Sequence, residues 1–80
     1  MNSADFEFIS TLLRKRAGIV LTVDKMYLLE SRLAPLARKE GLPSIDDLVK
    51  VVRARREERL IAQVVDQAFL AARADDLHQI

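Results

Sequence analysis

Apolar residues recur three or four positions apart along four segments of the chain, which is the spacing of one face of an α-helix. The first segment has Phe6, Phe8, Ile9, Leu12, Leu13 and Ala17, and the second has Met26, Leu29, Leu33, Leu36 and Ala37. The third has Ile45, Leu48, Val49 and Val52, and the fourth has Leu60, Ile61, Val64, Val65, Ala68, Phe69 and Ala72. The pattern predicts an all-α fold, a small four-helix bundle with helices at about 4–17, 23–40, 44–54 and 57–72.

Capping residues mark the predicted ends of these helices. Ser3 and Thr22 suit the N-caps of the first two helices, and Ser44, with an aspartate three residues on, forms a capping box at the third. Gly18 and Gly41 supply the left-handed positions that end the first and second helices. Short connections between four helices therefore follow from the sequence.

Two helices have irregular features. Pro35 lies inside the second helix, where it removes one backbone hydrogen bond and crowds the carbonyl of Ser31. Because the apolar spacing continues past it, we expect a kink and not an end. Neither glycine nor proline marks the end of the third helix, which we place near Arg55. The pattern fades after position 72, so we expect a domain at 1–72 and a frayed tail at 73–80.

Composition limits the class of protein. Eighty residues, half of them hydrophobic and 31% charged, fit one small globular domain. The absence of cysteine excludes disulfides and thiolate metal sites. No apolar run reaches the roughly 18 residues of a membrane span, and acidic residues follow Met1 where a signal segment would be basic. We expect a cytoplasmic protein without membrane insertion.

The formal net charge of +1 hides a mildly basic middle region. Residues 25–59 hold nine basic and six acidic side chains, whereas residues 60–80 hold one basic and three acidic. In the second helix, Lys25, Arg32 and Lys39 recur every seven residues and form a cationic stripe beside the apolar face. Such a stripe is either the solvated flank of an amphipathic helix or a surface that recognises an acidic partner.

The sequence does not assemble the residues expected at a catalytic or metal centre. The single histidine, His78, lies in the polar tail, where a solvated side chain is the simpler interpretation. Two glycines cannot form a Gly-rich phosphate loop, and adjacent carboxylates such as Asp46 and Asp47 point about 100° apart on a helix. One histidine without cysteine cannot build a typical zinc site. We expect no catalysis, metal or cofactor within these residues.

The helix–glycine–helix order also resembles a DNA-binding helix-turn-helix, in which the start of the second helix meets base edges. Here that start carries Asp46 and Asp47, which would repel phosphates. We therefore expect no nucleic-acid partner.

The order of motifs across the first 66 residues resembles the N-terminal all-helical domain of CheR-type chemotaxis receptor methyltransferases. The matching pieces are Phe6 to Leu13, Arg16-Ala17-Gly18-Ile19-Val20-Leu21, Lys25, Leu29-Glu30-Ser31-Arg32-Leu33, Arg38, Gly41-Leu42 and a helix at 45–52. In that family the small helical domain precedes a larger α/β domain, which binds S-adenosylmethionine and methylates glutamate side chains on receptor helices. The resemblance implies such a parent or ancestor.

The resemblance also implies a partner and a binding site. In the family, basic residues of the second helix help to recognise the cytoplasmic helices of the chemoreceptor, an acidic helical partner. By position this role falls on Arg32 and Arg38, with Lys25 as a further matching residue. Lys39 joins them as part of the cationic stripe. The parent would use S-adenosylmethionine, whereas these residues alone would bind no cofactor and transfer no methyl group.

The chain departs from the family pattern in two places. Pro35 stands where many relatives have another arginine, and residues 67–80 lack the Thr-Asn and Phe-Phe-Arg segments that lead into the catalytic domain. The chain is then an excised fragment or a free-standing relative. The first function that follows is a non-catalytic receptor-recognition or regulatory module of a chemotaxis protein-glutamate methyltransferase. The alternative is a free-standing interaction module, in which exposed Phe69 and Leu70 favour a homodimer.

Overall fold

The computed structural model describes residues 1–78, with side chains as far as residue 73. The chain folds into four α-helices, and a short 3₁₀ turn at Val23–Lys25 precedes the second of them. The helices are α1 (Ser3–Ala17), α2 (Met26–Lys39), α3 (Ile45–Arg55) and α4 (Glu58–His78). No strand occurs in residues 1–78. The predicted all-α four-helix fold is confirmed.

The first helix begins one residue earlier than predicted, because Asn2 and not Ser3 is its N-cap. The Asn2 side-chain oxygen accepts a hydrogen bond of 2.8 Å from the backbone N–H of Asp5. At the other end, Gly18 adopts the predicted left-handed conformation, with φ of 66°. The difference at the start reflects two adjacent residues that are both good N-caps.

The second helix begins three residues later than predicted, after the 3₁₀ turn. The Thr22 hydroxyl donates to the Asp24 carboxylate and forms no capping bond to the backbone. That hydrogen bond is the main reason why the pKa of Asp24 lies below its ordinary value. Pro35 lies inside α2, and the helix continues through it to Lys39. The expectation that Pro35 does not end the helix is confirmed, and the expected kink stays a prediction.

The link from α2 to α3 follows the predicted capping signals. Gly41 has φ of 75°, and the N–H groups of Gly41 and Leu42 donate to carbonyls of the last turn of α2, at 3.0 and 2.9 Å. Ser44 caps α3, because its hydroxyl accepts from the Asp47 N–H at 3.2 Å and donates to the Asp47 carboxylate at 3.0 Å. Two short turns therefore fix the direction of α3 relative to α2.

The third helix ends at Arg55, as predicted, and its C-cap is Arg56 in a left-handed conformation with φ of 49°. The fourth helix is longer than predicted, since it continues beyond position 72 to His78. The physical reason is that residues 57–80 contain neither glycine nor proline. Residues 73–78 therefore belong to α4, whereas residues 79–80 lie outside the described part of the chain.

A single apolar core lies between the four helices. Its buried members are Phe6, Ile9, Leu13, Leu29, Leu33, Leu36, Ala37, Leu48, Val49, Val52, Leu60, Ile61, Val64 and Ala68. Burying one leucine of this kind contributes about 1.5–3 kcal/mol. The predicted face of α4 needs one correction, because Ala71 is buried while Phe69 is exposed. The outward turn of Phe69 leaves a small residue, Ala71, at the contact with the other helices.

Helices α2 and α4 form the centre of the bundle, and α1 and α3 pack against them. The two central helices are antiparallel, since Glu40 contacts Arg59 whereas Pro35, earlier in α2, faces Gln67, later in α4. Within the described residues, no helix is both long and apolar enough to cross a membrane. In α2, one face is buried in the core and the opposite face is exposed to solvent.

Two arginine–glutamate pairs fix the start of α4, and we name these four residues the α4 clasp. Arg16, at the end of α1, donates to both carboxylate oxygens of Glu58, at 2.6 and 3.0 Å. Arg59 donates to both oxygens of Glu40, at the end of α2, at 2.9 and 3.3 Å. Bidentate geometry of this kind holds the orientation of the helices as well as their distance.

Candidate functional site

The cations predicted to form a binding surface on α2 differ in whether they are available. Arg32, Arg38 and Lys39 are exposed, and within the described residues none of them forms an ion pair or hydrogen bond. Lys25 is half-buried and already interacts within the fold. Arg38 and Lys39 also lie in the last turn of α2, where positive charge suits the helix dipole. Three of the four predicted cations are therefore free to meet a partner.

The carboxylates beside these cations are already engaged. Glu30 accepts from the amino group of Met1 at 3.0 Å, and Glu40 belongs to the α4 clasp. Asp24, in the 3₁₀ turn, accepts from the Thr22 hydroxyl. Two of the three acidic side chains in residues 23–40 are thus neutralised by fixed cations. The exposed side of α2 is left with uncompensated positive charge.

The free cations of α2 do not lie along a single edge. At 100° per residue, Arg32 and Lys39 differ by about 20° around the helix axis, whereas Arg38 lies about 120° from Arg32. Lys39 lines a groove between α2 and α4, and Arg38 lines a different groove between α2 and α3. The cations predicted to form one basic edge therefore lie on two sides of the outward face of α2. Arg32 and Lys39 are on one side, and Arg38 is on the other.

The groove between α2 and α4 has a volume of about 340 Å³ and a mixed polar lining. Its wall on α4 carries Gln63, Asp66 and Gln67, which face Pro35 and Lys39 on α2. The side-chain oxygen of Gln63 is buried and has no hydrogen-bond partner. Because Asp66 stands across from Lys39, an approaching carboxylate would meet negative as well as positive charge here.

The groove between α2 and α3 has a volume of about 300 Å³ and a different character. Arg38 is the only charged residue in its lining, which is completed by Ala34, Ala37, Leu42, Pro43, Ser44 and Ile45. An apolar floor with one cation at its rim suits an apolar side chain that is accompanied by a carboxylate. This groove matches an acidic amphipathic partner better than the groove on the α4 side.

Phe69 and Leu70, predicted to support self-association, are both on the surface of α4. Their exposed fractions are 52% and 41%. The guanidinium of Arg73 lies 6.0 Å from the centre of the Phe69 ring. As neighbours on a helix they point about 100° apart, so they form no single flat patch by themselves. Their role in self-association stays a prediction.

Sequence reasoning missed two exposed apolar residues, one on α2 and one in the 3₁₀ turn before it. Tyr27 is 63% exposed, and Val23, in the 3₁₀ turn, is 65% exposed. The signal was available, because Tyr27 falls about 120° or more from Leu29, Leu33 and Leu36 on a helical wheel with 100° per residue. Tyrosine is enriched among the residues that contribute most to binding at interfaces, so Tyr27 is a further candidate contact on α2.

A catalytic or metal centre is not evident in the part of the chain that the structure describes. There, no group of three or more histidine, cysteine, aspartate or glutamate side chains could hold a metal ion. The side chain of His78 lies outside the described side chains. What the α2 surface offers a partner is charge and apolar contact.

Comparison with known proteins assigns residues 4–66 to a family. They match the family model described as the CheR methyltransferase, all-alpha domain. The chemotaxis protein methyltransferase Cher2 of Pseudomonas putida is 40% identical over 62 residues, which cover 78% of this chain and 22% of that protein. Chemotaxis protein methyltransferase 1 of Pseudomonas aeruginosa is 41% identical over 54 residues, which cover 68% of this chain and 20% of that protein.

A relative outside Pseudomonas shows the same limited coverage. The chemotaxis protein methyltransferase of Vibrio parahaemolyticus is 38% identical over 66 residues, which are 82% of this chain and 24% of that protein. The chain thus spans about a fifth to a quarter of the length of these relatives. No solved structure matches it.

Proposed function

Because the chain belongs to the CheR methyltransferase all-alpha domain family, we propose that it is the receptor-recognition module of a chemotaxis protein-glutamate methyltransferase. Its partner in this proposal is an acidic helical segment of a chemoreceptor's cytoplasmic part, and the chain itself is cytoplasmic. The relatives named above are chemotaxis protein methyltransferases, which makes a chemoreceptor the natural partner. Methyl transfer itself is no part of what these residues do.

The observation that carries the proposal is the imbalance of charge on α2. Arg32, Arg38 and Lys39 are exposed and unpaired in the described structure, whereas Glu30 and Glu40 are each held by a cation from another part of the fold. Arg16 and Arg59, by contrast, are each paired with a glutamate of another helix or helix end. The unpaired state of the α2 cations supports a role in binding a negatively charged partner.

Such charges orient a partner more than they hold it. An exposed ion pair contributes about 0–1 kcal/mol and is screened by salt, so two or three of them give a weak complex. Complementary charge chiefly accelerates encounter and excludes the wrong partners. A weak, steered contact suits a module that positions a substrate helix for repeated cycles of modification.

S-adenosylmethionine, the methyl donor expected of a complete methyltransferase, does not fit the residues described here. The two grooves beside α2, of about 340 and 300 Å³, and a third of about 160 Å³ lined by Phe8, Thr11, Leu12, Lys15 and Arg56 are open to solvent, and none of these three surrounds a ligand of that size. In a complete methyltransferase we propose that a further domain holds the donor. No step of the reaction is assigned to this chain.

Titration with a helical peptide from the methylation region of a chemoreceptor tests the proposal. We expect the double variant Arg32→Glu/Arg38→Glu to raise the Kd of the complex by about tenfold or more, because each substitution replaces an attraction with a repulsion. The matched control is Arg14→Glu/Lys15→Glu, which reverses two exposed and unpaired cations of α1. Equal affinities of wild type and the α2 variant, or equal weakening by the control, would contradict the proposal.

The alternative function is a free-standing interaction or dimerisation module. It is favoured by the exposure of Phe69 and Leu70 on α4, where the described structure provides no cover for them. Sedimentation at several protein concentrations separates the two functions. A dimer that Phe69→Ser dissociates would support the alternative, and a strict monomer at all concentrations would remove it.

A further inference from the structure

The solvent-facing side of α2 carries an apolar group as well as its cations. Tyr27 is 63% exposed and Val23, one turn earlier, is 65% exposed. Within the described residues, Tyr27 forms no hydrogen bond or ring contact. Tyrosine is among the residues that dominate interface energetics, so an exposed and unpartnered ring on α2 is a candidate contact for a partner. Recognition through Arg32, Arg38 and Lys39 alone assigns no role to Tyr27.

Tyr27 shares one stripe of α2 with Arg38. At 100° per residue, Tyr27, Ser31, Ala34 and Arg38 fall within about 60° of each other around the helix axis, and we name these four residues the outer stripe. Its two ends are an aromatic ring and a guanidinium, about 16 Å apart along the axis at 1.5 Å per residue. The two residues between them are small. A partner helix can therefore lie close against the middle of the stripe.

The outer stripe opens directly into the groove between α2 and α3. Ala34 and Arg38 belong to both, and Arg38 is the only charged residue that lines the groove. The groove on the opposite flank of α2, beside α4, is less suited to an acidic partner, because Asp66 and two glutamine amides face Lys39 there. The charges that line the two grooves thus favour the α3 side over the α4 side.

We propose that the acidic partner helix docks along the outer stripe, with an apolar residue against Tyr27 and a carboxylate at Arg38. This inference rests on the proposed function and specifies its occupant. That occupant is an amphipathic helix that presents an apolar residue and an acidic residue about 16 Å apart, or eleven residues, on the same face. Tyr27 then supplies the attraction that salt does not screen, and Arg38 supplies the attraction that it does.

A salt series separates these two contributions. The Kd of the chemoreceptor methylation-region peptide is measured in about 0.1 M and about 1 M salt, between which the Debye length falls from about 10 Å to about 3 Å. We expect Tyr27→Ser to raise the Kd about tenfold at both salt concentrations. Arg38→Gln should raise it clearly at the lower concentration and hardly at the higher. Both residues are exposed, so the unfolding midpoint of each variant should match that of the wild type.

The control is Phe69→Ser, which removes a comparably exposed aromatic side chain from α4 and should leave the Kd unchanged. If Tyr27→Ser has no effect while Arg32→Glu/Arg38→Glu still weakens binding, the docking stripe is wrong and the proposed function survives. If neither variant weakens binding, both fail. A dimer of the wild type that Tyr27→Ser dissociates would assign the stripe to a second copy of the chain and overturn this inference.

Discussion

Arginine serves two purposes in this small domain, and the two purposes are segregated by place. Arg16 and Arg59 are each bound to a glutamate through two hydrogen bonds, and together they fix the start of α4. Arg32 and Arg38, on the central helix of the bundle, contact no carboxylate in the described structure. Arginine thus joins helices in the α4 clasp, whereas on the exposed side of α2 it presents an unpaired charge.

The difference shows that a basic residue indicates function only when its partners are known. Both groups of arginines lie at exposed positions of amphipathic helices. The periodicity of the sequence alone would therefore interpret both as solvated charges beside an apolar face. The α4 clasp joins residues 42 and 19 positions apart in the chain. Only the fold brings these pairs together, and only the fold therefore shows which arginines remain available.

Arg56 is a further arginine without an ion pair in the described structure, and its replacement is expected to have the largest effect on stability. It is exposed, unpaired and forced into a left-handed backbone conformation at φ of 49°, which costs a residue with a Cβ atom about 1 kcal/mol more than glycine. We expect Arg56→Gly to raise the free energy of unfolding by about 0.5–1 kcal/mol in denaturant titration. The control is Lys50→Gly, an exposed and unpaired position inside α3, which should lower it by about 1 kcal/mol. A destabilised Arg56→Gly variant would contradict the account of this turn.

The smaller expected effect is the pH dependence of the α4 clasp. Hydrogen bonds from Arg59 to Glu40 and from Arg16 to Glu58 hold the pKa of each carboxyl below its ordinary value of 4.5. A depressed folded-state pKa means that the stabilisation is present above the unfolded value and is lost as the pH falls through the folded one. We expect Glu40→Gln/Glu58→Gln to unfold at a lower temperature than wild type at pH 7, with the gap closing below about pH 4.

A gap that stays constant from pH 7 to pH 3 would show that the clasp carboxylates do not stabilise the fold through their charge. The matched comparison is Asp66→Asn, which removes an exposed carboxylate of α4 that has no ion-pair partner in the described residues. That variant should unfold at nearly the wild-type temperature at both pH values.

Much of the fold was predictable because the signals that specify it are local. Gly18, Gly41 and Ser44 act through backbone conformation and hydrogen bonds within a few residues, and the helices end or begin where these residues predict. The apolar spacing likewise predicted nearly all of the core. The extension of α4 past position 72 was missed because a weak apolar pattern was given more weight than the absence of a helix-breaking residue.

The candidate site was only partly predictable. The sequence identified the free cations Arg32, Arg38 and Lys39, but it could not show that Lys25 is already engaged within the fold. Nor could it separate Arg38 from Lys39, which are adjacent in sequence and line grooves on opposite sides of α2. Which groove each one enters depends on the packing of α3 and α4, and that packing is set by contacts distant in sequence.

The most direct test is to locate the partner on the surface by NMR. Amide chemical shifts of the chain are compared before and after addition of the chemoreceptor methylation-region peptide. The account predicts that the largest changes lie on α2 and its flanking turns, at Tyr27, Ser31, Ala34 and Arg38, with little change around Arg16 and Arg59. Changes confined to α4 around Phe69, or spread evenly over the bundle, would contradict it.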